Sequence, residues 1–125
     1  MATRRFQQFQ GTLEKQIVKL FANISIGAAG APTLNSNGSL GIASVTLTSP
    51  GLYEVTLSDQ YSKLMNVHSQ QVVAVAEDLN FQLKSETMST KKFELHCLTA
   101  GVATDPSSGS ILLLEITLRN TSVQK

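Results

Sequence analysis

Two histidines, one cysteine and nine carboxylates are the side chains in this 125-residue sequence best suited to proton transfer, nucleophilic attack or metal binding. A metal site would need His68 and His96 to converge with a carboxylate. Neither histidine stands in an HxH or HExxH spacing, and isolated histidines on strands are mostly structural, so no metal is expected. A cysteine nucleophile needs a histidine to take its proton. His96 adjoins Cys97 and points to the opposite face of a strand, which leaves His68 as the available base. Cys97 falls on the apolar side of its strand and reads as a small buried hydrophobe. Glu54, Asp59, Glu77, Asp78, Glu86, Glu94, Asp105 and Glu115 offer carboxylate pairs. A glycosidase sets two of them about 5 to 10 Å apart in a cleft, and nothing in the spacing concentrates them. Glu77-Asp78 is a candidate ion ligand, with a solvated turn as the plain alternative. The GAAGA run at 27–31 has the small residues of a phosphate loop. It lacks the lysine and Ser/Thr of a P-loop, and no helical pattern follows it. With no Trp, two Tyr and five Phe, a platform of exposed rings for sugars or single strands is disfavoured. No catalytic residue and no cofactor is therefore assigned. A small hydrolase using His68 with Cys97 or a carboxylate is the minor alternative.

Composition narrows the classes further. Hydrophobic residues make up 42% and charged residues 15%, against roughly 25% charged in typical soluble domains. Ser, Thr, Asn and Gln take the place of the charge, which suits a chain packed among other chains. A net charge of +1 supplies no basic field for nucleic acid. No run approaches the roughly 18 apolar residues of a membrane span, so no membrane is expected. The charged N-terminus is not followed by the apolar stretch of a secretory signal. A lone cysteine forms no intrachain disulfide, and a reducing, soluble compartment or release by lysis is expected.

The elements that would position these residues are strands. Residues 1–16, MATRRFQQFQGTLEKQ, are polar and Gln-rich. Phe6, Phe9 and Leu13 could share a helical stripe, and Gly11 opposes a continuous helix. This segment reads as an arm that orders against a neighbour, with a frayed terminus as the alternative. Arg4 and Arg5 are either solvated or dock to a partner. From residue 17 the period becomes two: Val18, Leu20, Ala22, Ile24 and Ile26 share one face, and Phe21 is the exception on the other. Residues 27–41 read as a loop with Leu34 and Leu40 near its ends. Strands at 42–48 and 52–58 are joined by Ser49-Pro50-Gly51, which suits a type II turn. Asp59 caps an expected helical turn over 60–64. A strand is expected from 65 to 76, and its continuous apolar run 72–76 suggests cover on both faces, the second open to a neighbouring subunit in a domain this small. Further strands fall at 79–84 and 92–99, with loops at 85–91 and 100–110. In the last strand, 111–120, Leu112, Leu114, Ile116 and Leu118 form one face. Ile111 and Leu113 make the other face apolar as well. About seven or eight short strands predict an all-β, antiparallel β-sandwich or small barrel over 17–125, preceded by the arm 1–16.

Several motifs carry a resemblance. GAAGAPTL at 27–34, GIAS at 41–44 and GLYEVTLSDQY at 51–61 follow one another. TAGVATDPSSG at 99–109 and ITLRNTSV at 116–123 come later. Together they resemble a group of small structural proteins of tailed bacteriophages, over most of the chain from Phe21 onward. The resemblance implies a jelly-roll-like sandwich that decorates or cements the outside of a phage head. It implies contacts with the major capsid protein and with other copies of itself as a dimer or trimer. It implies assembly in the host cytoplasm and a final place on the virion. Arg4, Arg5, Phe6, Phe9, Leu34, Ile111 and Leu113 are the candidate contact residues. A tail, baseplate or fibre component is the alternative within the virion.

Overall fold

A strand forms where one side of the alternation can be buried against a second layer, and the chain solves this twice. The computed structural model describes residues 17–120 and contains nine strands. They are β1 (Ile17–Ile26), β2 (Pro32–Leu34), β3 (Ile42–Ser49), β4 (Leu52–Leu57), β5 (Lys63–Val72), β6 (Asn80–Thr87), β7 (Lys92–Thr99), β8 (Val102–Ala103) and β9 (Ile111–Arg119). One sheet has the order β2-β1-β9-β5. The other has the order β3-β4-β7-β6, with the short β8 also paired to β7. Every pairing is antiparallel. The protein is thus an all-β sandwich of two antiparallel sheets. The expected arm, with Arg4, Arg5, Phe6 and Phe9, lies outside the described residues.

The core is built from the predicted faces. Leu20, Ala22, Ile24 and Ile26 of β1 and Leu112, Leu114, Ile116 and Leu118 of β9 are all buried. They meet Tyr53, Val55 and Leu57 of β4 and Phe93, Leu95 and Cys97 of β7 from the other sheet. Each large aliphatic side chain placed there contributes about 1.5–3 kcal/mol. The β3–β4 hairpin turns through Pro50 and Gly51 as expected, with Gly51 at φ +73°.

Four expectations need correction, and all concern links between strands of the core. No helix forms over 60–64. The chain there passes from β4 in one sheet to β5 in the other, and the Ser62 N–H donates to the Arg119 carbonyl at 2.9 Å to enter the ladder. The strand expected to reach residue 76 ends at Val72, because the chain must leave the first sheet to start β6 in the second. Within one chain the apolar run 72–76 is therefore not covered on both faces: Val72 is 49% and Val75 80% exposed. The expected loop at 85–91 begins as the end of β6, followed by a 3-10 turn over Met88–Thr90 whose Met88 is buried. The loops at 27–41 and 100–110 contain the short strands β2 and β8, which have too few residues to show a period.

Candidate functional site

The motifs that stand apart in sequence converge at one end of the sandwich. The Tyr53 hydroxyl of β4 donates to the carbonyl of Gly30, in the GAAGA loop, at 2.7 Å. The Gly51 N–H, in the Pro-Gly turn, donates to Oδ1 of Asp105 at 2.8 Å. The Gly51 carbonyl accepts from the Cys97 N–H at 2.7 Å, and the Cys97 carbonyl accepts from the Thr104 N–H at 2.9 Å. Three loops, 27–31, 49–52 and 104–106, are thereby clasped around β4 and β7. Burial, with the nearby Asp105 charge adding to it, pushes the Tyr53 phenol well above its ordinary range. Burial pushes the Cys97 thiol up to about 12, and the Asp105 and Glu77 charges act in the same direction. A thiol held there is protonated at neutral pH and is a poor nucleophile.

The residues singled out for chemistry are kept apart. Cys97 points into the core from β7. His68 lies exposed on β5 of the other sheet, at the register position opposite Glu115. The fold does not bring this cysteine and histidine together. His96 sits on the outer side of β7, opposite Gln82 of β6 and Leu52 of β4. Among the described residues, no group of three or more His, Cys, Asp or Glu side chains is placed to hold a metal ion. Oε1 of Glu77 accepts from Nε2 of Gln71 at 2.7 Å. Hydrogen bonding, first from Ser107, holds its carboxyl below the usual range. An open groove of about 440 Å³ lies between residues 73–77 and 107–110.

The thiol makes a direct prediction. In the native protein Cys97 should resist a thiol reagent at neutral pH and react fully only on unfolding; stoichiometric labelling of the folded chain within minutes would contradict its burial. A group whose folded pKa is raised contributes stability that is intact below its unfolded pKa and is lost as pH climbs toward the folded value. For Cys97 the loss should run from about pH 9 to about 12. Tyr53 should add to it above its ordinary value of 10.0. Melting temperatures measured across this range should fall later in Cys97→Ala than in the parent protein.

The outer faces of the two sheets differ. On the β3-β4-β7-β6 sheet, Lys92 pairs with Glu54 and Lys84 with Glu94, at 3.5 and 3.8 Å. These are solvated ion pairs of small energetic weight. The β2-β1-β9-β5 sheet carries one such pair, Lys19 with Glu115 at 3.2 Å, and beside it Phe21 of β1 is 43% exposed and Leu113 of β9 is 36% exposed. Leu40 is 61% exposed and bridges Phe21 through the backbone, its N–H donating to the Phe21 carbonyl at 2.7 Å. Ile111 is half-buried on the same side, opposite Ser25 of β1 and Val72 of β5. Leu34 is half-buried against the core, so it works within the fold rather than on this face. The neighbouring part of the face is roofed by residues 35–39. Nδ2 of Asn35 donates to Oδ1 of Asn23 and to Oγ of Ser25 at 3.0 and 2.8 Å. Sequence reasoning noted Phe21 only as an irregularity of the alternation; its apolar outward side chain was the signal for this face.

Comparisons with protein-family models, with curated proteins and with solved structures found no match.

Proposed function

We propose that the protein is a structural component of a tailed-phage particle, a decoration or cement protein bound on the outside of the head. In this reading it adds buried area between capsid subunits and resists internal pressure. Many copies, each making a modest contact, act together. The observation that supports it is the asymmetry of the two outer faces. Both carry surface ion pairs, but only the β2-β1-β9-β5 face also presents a large apolar set, Phe21, Leu40 and Leu113, beside its Lys19–Glu115 pair. Exposed apolar groups gathered on one face suit contact with another protein. Here that partner is the major capsid protein, with the N-terminal residues 1–16 adding a second contact. The motif resemblance points to the same setting.

Copy number in purified particles tests the reading, by quantitative mass spectrometry against the major capsid protein. Hundreds of copies are expected. About a dozen or fewer would move the protein to the tail or the portal vertex, and absence would overturn a virion role. Deleting residues 2–12 should abolish binding to particles while the sandwich keeps its melting temperature. Full binding by the shortened chain would remove the arm from the contact.

A further inference from the structure

A sandwich of two open sheets has four edge strands, and three of them here are blunted. β2 is three residues long and starts with Pro32. β3 is interrupted by register shifts near both ends, leaving a regular run only over 44–47. β6 has a register shift after Leu83 and carries Lys84 and Glu86. Short strands, prolines, bulges and charges are the devices that stop an edge from pairing with another chain.

β5 has few of them. At ten residues it matches β1 in length, and among the described residues it pairs only with β9. Its one register shift lies at Met65, so residues 66–72 run in unbroken register. From Leu64 through Ala76 there is no Asp, Glu, Lys, Arg, Pro or Gly. Met65, Val72 and Val75 along this stretch are 51%, 49% and 80% exposed. Charge gathers only at its two ends. Lys63 begins the strand beside Arg119 of β9, its Nζ 3.3 Å from the carboxylate of Glu86 on β6, so this end keeps a net positive charge. Glu77 lies at the other end, held to Gln71, and Asp78 follows it.

We propose that the β5 edge is the self-association surface of this protein, pairing antiparallel with β5 of a second copy about a two-fold axis. The arrangement is isologous, so each copy gives and receives the same contacts. It places the Lys63–Arg119 end of each strand against the Glu77–Asp78 end of the other, whereas a parallel pairing would bring like ends together. The uncharged middle meets itself without repulsion. Two four-stranded sheets become one of eight strands, ordered β2-β1-β9-β5-β5-β9-β1-β2, and Val72 gains a cross-strand neighbour. The inference rests on the sheet edges and is independent of the virion reading. It is tested on the isolated protein, whereas the virion reading is tested on particles.

Sedimentation equilibrium of the full chain should give twice the chain mass at micromolar concentrations. The double substitution Gln70→Lys and Val72→Lys puts four added charges at the two-fold contact. It should weaken the dimer about 100-fold, with an unchanged melting temperature for the monomer. Thr46→Lys, on the β3 edge, should leave the dimer intact. Hydrogen exchange of the parent protein needs no variant: amides of residues 66–72 should exchange more slowly at high than at low protein concentration. A monomer at 100 micromolar, a trimer, a dimer unaffected by the two lysines, or exchange over 66–72 that is independent of concentration would each overturn the proposal.

Discussion

Gly51→Ala should lower stability by about 3 kcal/mol, one of the largest effects available to a single methyl group in this fold. For a domain of this size that is a fall of roughly 11 °C in melting temperature. Two causes add. The residue sits at φ +73°, where a Cβ is strained. The methyl would also come within 2.7 Å of the Thr104 nitrogen and 2.8 Å of the Cys97 carbonyl oxygen. Both neighbours are backbone, and they are bonded to each other at 2.9 Å. Neither can retreat without loosening the clasp that also holds Asp105 on the Gly51 N–H. Gly109→Ala separates the two causes. Its φ is +90°, but an added Cβ would meet nothing within 4 Å, so backbone strain alone should cost about 1 kcal/mol. Chemical denaturation of both variants checks this. Equal losses would mean that the close approach at Gly51 relaxes at no cost.

The sandwich was legible because its core strands alternate cleanly. Leu20 to Ile26, Tyr53 to Leu57, Phe93 to Cys97 and Leu112 to Leu118 each declare a buried face by period alone, and each is buried. The hairpin at Pro50-Gly51 was legible because a positive φ after proline is a local requirement. The run 72–76 was read as the end of a strand, and past Val72 it is not one, for a physical reason. An apolar stretch shows that a segment tolerates burial, and it does not supply the second layer. The link from β5 to β6 leaves the sheet there, so the same residues end exposed. The clasp could not be read as a cluster, because Gly30, Gly51, Tyr53 and Asp105 are joined only by the crossing of chain between two sheets. Each motif was visible, and their meeting was not. The outward set of Phe21, Leu40 and Leu113 was half visible. Leu113 followed from the doubly apolar start of β9, whereas Leu40 joins the face through a backbone bridge that no spacing encodes.

Adjacent leucines on β9 should behave as opposites, which makes Leu114→Ala and Leu113→Lys the sharpest paired test of the architecture. Leu114 is 2% exposed, and its register neighbours are Ala22 on β1 and Ser69 on β5. Both flanking side chains are small, so Leu114 supplies the bulk of its row. Truncating it leaves a cavity that stiff neighbouring strands cannot refill, and a loss of about 3–4 kcal/mol is expected. Urea unfolding should show this as a lower midpoint at an unchanged slope. Leu113 faces the other way, between Asn23 and Gln70. A lysine there extends into solvent and should change stability by no more than about 0.5 kcal/mol. On the proposed reading the same lysine places a charge in the apolar contact with the capsid. Particle binding should then be lost from a variant that folds normally, while Leu114→Ala, at temperatures where it remains folded, should still bind. If Leu113→Lys binds particles as the parent does, the outer face of β9 is not the docking face. If Leu113→Lys unfolds as readily as Leu114→Ala, the two faces of β9 have been assigned wrongly.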